Sequence, residues 1–404
     1  MKKTPRALLR TTLSLTTMAA LGLGLAACGG SGSGSGSDTV VLGYTGPLSG
    51  GGASYGENVK IGLEMSVDKI NEAGVKIDGK DVKIELKSLD DKYVPSTAAT
   101  NSQRLADQDK AAVVFSPNAG AIKAMQQVNN GRSKFLIGGY TSDPEIVQHD
   151  NPLTIMIPPN FKSYAEPFTK KLMDEGAKKI SLLGTQSEYG QQWTAEVKTA
   201  WSTAGGTVGK DNSVDYATVS DFAGPVSKAL AEKPDTIFVG GPSQPTALIM
   251  EEARKQGFKG SFFVMDQAKL NEMATITDEK NLYDSVGVRP VEEYDEPGTK
   301  DFLAAFKTKT EGKKVATSES ALHYSAVPVF VKAMELAGTT SDPDKIREKM
   351  SEAVTQVDKS FYVQTPATKV TDAGHLMADT LDASFLDKSG KYQTVEVPQA
   401  DDSK

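Results

Sequence analysis

Short apolar runs alternate with segments of helical period along most of this chain, and that alternation restricts the fold more than any other feature. Val40-Val41-Leu42 is followed by residues 55–73, where Val59, Leu63, Val67 and Ile70 recur on one helical face and Gly74 is placed to end the helix. Residues 81–89, DVKIELKSL, alternate apolar and polar as a strand does. A helix is predicted over 95–109, with Pro95 in its first turn. Ala112-Val113-Val114-Phe115 reads as a buried strand, 119–130 as a helix and Phe135-Leu136-Ile137 as a strand. A second series then runs through a helix at 161–175, a strand at 179–183, a helix at 189–204, a strand at 236–239, a helix at 244–257 and a strand at 262–264. Sustained alternation of this kind predicts parallel sheets with helices on both faces. Two series predict an α/β protein of two doubly wound parallel-sheet lobes. The break falls at Ile157-Pro158-Pro159-Asn160, where consecutive prolines discourage helix.

The segment before the first strand has another character. Residues 1–10 carry Lys2, Lys3, Arg6 and Arg10, and 11–27, TTLSLTTMAALGLGLAA, carry no charge. That is the layout of a secretory signal, too short to predict a spanning helix. It lacks an Arg-Arg pair, which favours the general secretion route. Leu25-Ala26-Ala27-Cys28 resembles a bacterial lipobox, whose cysteine is lipidated and becomes the first residue of the processed protein. Cys28 is the only cysteine, so the processed chain is expected to form no disulfide although an extracytoplasmic compartment permits one. Residues 29–37, GGSGSGSGS, read as a flexible tether with a root-mean-square span of about 15–18 Å. The reading is therefore a leader over 1–27, an anchor and tether over 28–37, and a folded remainder held at the outer face of a bacterial membrane. After residue 37 no run approaches the roughly 18 apolar residues that a spanning helix needs.

Charge and motifs narrow the function. The formal net charge is −7, and loss of the leader's four cations makes the remainder more acidic. An acidic chain without a Lys/Arg run is ill suited to nucleic acid, because phosphate contacts need clustered cations. The three histidines, His149, His323 and His375, form no HExxH pattern, and His149 and His375 read as surface-loop residues. There is no G-x-S-x-G elbow and no phosphate-binding P-loop, and Asp90-Asp91 match no calcium loop. No enzymatic activity, cofactor or metal is expected.

In doubly wound sheets ligands bind beyond the carboxyl ends of strands. The loops there, 44–55, 90–94, 116–120, 138–144, 184–190, 240–245 and 265–269, are mostly rich in Gly, Ser, Thr, Asn and Tyr. Their ordered series carries a resemblance: Gly46-Pro47-Leu48-Ser49-Gly50, Tyr55-Gly56, Ile70-Asn71, Asp90-Asp91, Ser116, Thr141-Ser142-Asp143-Pro144-Glu145, Tyr189-Gly190, Phe238-Val239-Gly240-Gly241 and Tyr324-Ser325-Ala326-Val327. Over about residues 38–395 the chain resembles the leucine/isoleucine/valine-binding proteins of ABC transporters, type I periplasmic binding proteins. The resemblance implies lobes joined by three crossovers near 157–160, 287–291 and 360–375. Lobe I would comprise 38–158 and 290–362, and lobe II 159–289 and 363–404.

The resemblance also implies a site. Ser116 and Ser142 stand where hydroxyls hold a ligand carboxylate, and Tyr140 and Thr141 where backbone contacts arise. Tyr55 stands near the cleft mouth and Tyr189 where a second-lobe aromatic covers the ligand. Asp266 or Gln267 stands where an acid meets a ligand ammonium. Tyr324 either lines the cleft or packs in the core. From the residues alone, Ser116, Thr141 and Ser142 equally suit helix N-caps. Three departures put branched-chain specificity in question: Pro242 replaces a tyrosine after Gly240-Gly241, a first-lobe disulfide is impossible, and Tyr140 is larger than the usual residue there. The implied function is a monomeric solute-binding lipoprotein of an ABC importer, capturing a small polar solute, foremost an amino acid, and delivering it to a membrane permease. The alternatives are a ligand-sensing lipoprotein reporting to a membrane receptor and, less favoured, a secreted hydrolase.

Overall fold

Two sheets lie side by side in chain order. The first contains β1 (Asp38–Gly46), β2 (Val75–Ile77), β3 (Lys80–Asp90), β4 (Val113–Ser116), β5 (Leu136–Gly139) and β6 (Thr154–Met156), arranged β2-β3-β1-β4-β5-β6. The second begins with β7 (Lys179–Gly184), β8 (Thr207–Asp211), β9 (Thr236–Gly240), β10 (Ser261–Val264) and β11 (Ser285–Val288). A small pair, β12 (Lys369–Val370) and β13 (Leu376–Met377), precedes β14 (Thr380–Leu386) and β15 (Tyr392–Pro398), which complete the second sheet in the order β15-β14-β11-β10-β9-β7-β8. The computed structural model describes residues 38–129, 134–148, 151–216 and 218–400. The expected leader, Cys28, the Gly/Ser tether and His149 lie outside the described residues.

Alternation along the central strands explains the helices on both faces. In β4, Val113 and Phe115 enter one core cluster and Val114 the cluster on the opposite face. In β10, Phe263 and Phe262 divide in the same way. All five side chains are fully buried. Burying each stabilises the fold by about 1.5–3 kcal/mol. A strand apolar on both faces is held only if helices cover both. The helices Ala53–Ala73 and Ser318–Ala337 cover one face of the first sheet and Pro95–Asp107 and Ala119–Val128 the other; Lys162–Asp174 and Glu188–Thr203 cover one face of the second and Ala223–Ala231 and Ser243–Lys255 the other.

Both sheets are parallel through their centres, as expected, and each adds antiparallel pairing toward one edge. β2 pairs antiparallel with β3, as do β11 with β14 and β14 with β15. Asp78 and Gly79, the whole connection between β2 and β3, have φ of 52° and 73°. Positive φ at both central residues is the two-residue hairpin turn whose twist matches that of paired strands, and such a short link permits only antiparallel pairing.

The last crossover also lies later than expected. Val363, Val370 and Leu376 belong to the first core, and the Met156 N–H donates to the Gly374 carbonyl at 2.8 Å. The chain reaches the second sheet only between Met377 and Thr380, not at 362–363. Among the described residues no helix is long and apolar enough to cross a membrane.

Candidate functional site

β4 and β5 end at Ser116 and Gly139, and β7 and β10 at Gly184 and Val264. The loops that follow these four ends converge on a cavity of about 250 Å³. From the first lobe, Tyr55, Asn118 and the run Tyr140–Asp143 reach it; from the second, Ser187–Tyr189, Asp266, Gln267 and Lys269 do. Pro158 of the first crossover lies between. Strand order reverses beside β1 in one sheet and beside β7 in the other, so adjacent loops diverge there and leave a crevice. Larger hollows of 610, 580 and 500 Å³ lie over the second lobe's helices and outer strands, and no residue singled out from the sequence lines them.

Asp266 is the centre of the polar geometry. Its carboxylate accepts from Ser142 Oγ at 2.6 Å, Tyr189 Oη at 2.6 Å and Trp193 Nε1 at 3.1 Å. Ser142 and Tyr189 also bond to each other, so the contact joins both lobes. Burial pushes the Asp266 carboxyl above its ordinary value, while Lys269 and the Ser142 and Tyr189 hydroxyls pull the other way. Burial, then the nearby Asp266 charge, raises Tyr189, which keeps its hydroxyl protonated and donating. The local fold presents these groups: Ser187 caps the helix Glu188–Thr203 by accepting from the Gly190 N–H, placing Tyr189 in its first turn. Asn118 caps Ala119–Val128 in the same way.

Two ion-pair systems flank the centre. Lys269 Nζ meets Glu319 Oε1 at 2.8 Å across the lobes, with both side chains buried. Lys123 lies 2.7 Å from Glu145, 3.2 Å from Asp143 and 3.1 Å from Glu188 on the second lobe. Although burial works against its charge, these carboxylates raise Lys123 above the ordinary lysine value.

The structure thus brings together Tyr55, Tyr140, Thr141, Ser142, Tyr189, Asp266 and Gln267. Tyr55 is held by a 3.0 Å bond to the Pro117 carbonyl. The Thr141 hydroxyl accepts from the Asp143 N–H at 3.3 Å, closing its own turn. Ser116 is not on the lining: it is fully buried and its hydroxyl has no hydrogen-bond partner among the described residues. Tyr324 is not there either. Its ring packs 4.9 Å from Phe302 and 5.4 Å from Phe361 in the first core, because its helical position faces those rings. The reading missed Lys269 and Glu319. Glu319 had a signal, an acid in the first turn of the largely apolar helix Ser318–Ala337. Lys269 had only its place three residues after Asp266. His375, read as a surface residue, is fully buried, its Nε2 2.9 Å from the Pro158 carbonyl of the first crossover. Among the described residues no cluster of His, Cys, Asp or Glu could hold a metal ion.

Comparison with known proteins agrees with this architecture. A leucine-, isoleucine-, valine-, threonine- and alanine-binding protein of Pseudomonas aeruginosa is 24% identical over 315 residues, 78% of this chain and 82% of the relative. An amino acid binding protein of the same species is 26% identical over 245 residues, 58% of this chain and 63% of the relative. The crystal structure of leucine binding protein LivK from Thermotoga maritima superposes with a TM-score of 0.74 at 20% identity, covering 89% of this chain and 99% of that one. LivJ from Streptococcus pneumoniae, a branched-chain amino acid transporter substrate binding protein solved with isoleucine, gives 0.74 at 19%, covering 90% and 100%. At those identities the structures speak for the fold, two α/β lobes of the type I periplasmic binding protein. The sequence itself matches the family described as Periplasmic binding protein over residues 39–384, and the chain belongs to that family.

Proposed function

We propose that this protein is an extracytoplasmic solute-binding lipoprotein of an ABC importer that takes an amino acid into the cleft between its lobes and delivers it to a membrane permease. The observation that carries the reading is the Asp266 centre. A buried carboxylate stands among hydroxyl donors from both lobes, in a cavity suited to a small solute. A carboxylate there answers a ligand ammonium, and hydroxyls with the N–H groups of the helix starting at Ala119 answer a ligand carboxylate without an unpaired buried cation. A ligand touching both lobes favours the closed arrangement by the difference in its contacts to the two states. Amino acid binding by the Pseudomonas relatives supports the same reading. The leader, Cys28 and the Gly/Ser tether support lipid anchoring outside the cell membrane, and the protein acts as a monomer. Relatives and fold are those of binding proteins, which favours capture over catalysis.

The test is calorimetric titration with the twenty amino acids, then with the best ligand against Asp266→Asn. Removing one partner of a desolvated charge pair costs roughly 2–5 kcal/mol, so affinity should fall at least about 30-fold. Amino acid binding that Asp266→Asn leaves unchanged removes Asp266 from the site. Folded protein that binds no amino acid refutes the reading.

A further inference from the structure

We infer that the Lys269–Glu319 pair makes this cleft selective for an amino acid whose side chain ends in a hydrogen-bond-donating nitrogen, an amide or a cation, rather than a branched aliphatic group. The inference rests on the amino-acid reading above and specifies its ligand.

Four observations converge. First, no Leu, Ile, Val, Met or Phe is among the described residues lining the 250 Å³ cavity; its apolar surface is tyrosine rings, prolines and one alanine. Second, Lys269 and Glu319 are both on that lining, with side chains only 5% and 3% exposed. Third, Glu319 uses one oxygen on Lys269, while Oε2 is buried with no hydrogen-bond partner among the described residues. Fourth, the charges do not balance. Carboxylates outnumber cations on both flanks: Lys123 stands against Asp143, Glu145 and Glu188, and Lys269 alone against Asp266 and Glu319.

A buried carboxylate oxygen without a donor is costly, and a ligand N–H that reaches it recovers that cost. A branched aliphatic side chain offers no donor and would pack against a desolvated ion pair. A site built to hydrogen-bond a group discriminates strongly against an analogue that lacks it. Aliphatic residues do exist nearby. A second cavity of about 50 Å³ carries Val288, Leu322 and Leu381. It shares Tyr140, Pro158, Asp266 and Lys269 with the first, so these four form the partition between them. Its volume holds about one or two waters. That second cavity is itself part polar, with Ser318, Gln364, Thr365 and Asp382 on its lining, and Lys269 stands between the two.

The experiment titrates the protein with glutamine, asparagine, lysine and arginine against leucine, isoleucine and valine. The same panel is then run on Glu319→Gln and on the double variant Lys269→Met/Glu319→Leu. Replacing a buried ion pair by apolar groups of similar size is often neutral or stabilising, so the double variant remains informative if Glu319→Gln fails to fold. The expected result is a member of the first group binding at least about ten-fold more tightly than any of the second, with that order reversed in the double variant. Leucine, isoleucine or valine binding most tightly to the unmodified protein overturns the inference and leaves the amino-acid reading standing. So does an unchanged ranking in a folded double variant. Absence of binding to any of the seven and to the remaining amino acids overturns the reading itself, and the inference falls with it.

Discussion

His323 shows how one residue's surroundings set a measurable property. It is fully buried in the helix Ser318–Ala337, its Nδ1 2.7 Å from the Glu319 carbonyl and its ring 4.8 Å from that of Tyr140. Its Nε2 has no hydrogen-bond partner among the described residues. Burial outweighs the carbonyl contact and pushes the imidazole down to about 4. A base depressed in the folded state binds fewer protons there than in the unfolded chain. Its contribution is therefore complete above about pH 6.5 and is lost as pH falls toward 4. Between pH 6.5 and 5 the protein should lose about 1.5 kcal/mol that His323→Leu does not lose. Urea unfolding of both proteins across that range measures the difference; parallel slopes would place the imidazole proton equally in both states. The same scale separates legible from illegible site residues. Asp266 (with Gln267 as its alternative), Ser142 and Tyr189 are reached through the family resemblance, and their places in strand-end loops agree with it. Tyr324 could not be placed, since a tyrosine in an apolar helix suits cleft or core, and only the Phe302 and Phe361 rings decide.

At the level of elements, periodicity located the strands and helices that it identified to within a few residues, but it identified neither β11 nor β14, both largely buried. The predicted helix 95–109 is Pro95–Asp107, and the predicted strand 112–115 is Val113–Ser116. It failed at β2, where three residues are too few to show a period and the Asp78-Gly79 turn carries the only signal. Close approach between elements was equally hidden. The helix Ala53–Ala73, which carries Tyr55, crosses the Pro47 backbone at Gly56, where an added Cβ would lie 1.8 Å from the Pro47 oxygen. The Tyr44 hydroxyl also donates to the Gly56 carbonyl at 2.9 Å. Gly56→Ala should destabilise the protein by about 1–3 kcal/mol through forced displacement of that first turn. Gly224→Ala, with open space at its Cβ, should be neutral or slightly stabilising. Denaturant midpoints of the pair check this, and equal midpoints would mean the turn yields freely.

Across the whole molecule, the lobes meet at the cleft through polar contacts. Among them are Ser142 with Asp266 and with Tyr189, Lys269 with Glu319, and Lys123 with Glu188. Such contacts can be broken and re-formed with water in a way that an apolar seam cannot, which suits closure on a ligand. Glu188→Gln removes only the outer contact and leaves Lys123 with Asp143 and Glu145. Glu188 is largely exposed, so the loss should be small, roughly two- to five-fold in ligand affinity at low salt and less at high salt. Calorimetry at two ionic strengths reads it; an identical affinity in low salt would mean the contact is equally present with and without ligand. The sequence by itself determined the two-lobed α/β class and the loops where a site must lie, because burial on two faces imposes a pattern along the strand and the parallel connections put strand ends together. Tertiary structure alone decided the late third crossover, the antiparallel edges and the partnership of Lys269 with Glu319. Those depend on which surfaces meet, and residues fifty positions apart leave no local period to announce their contact.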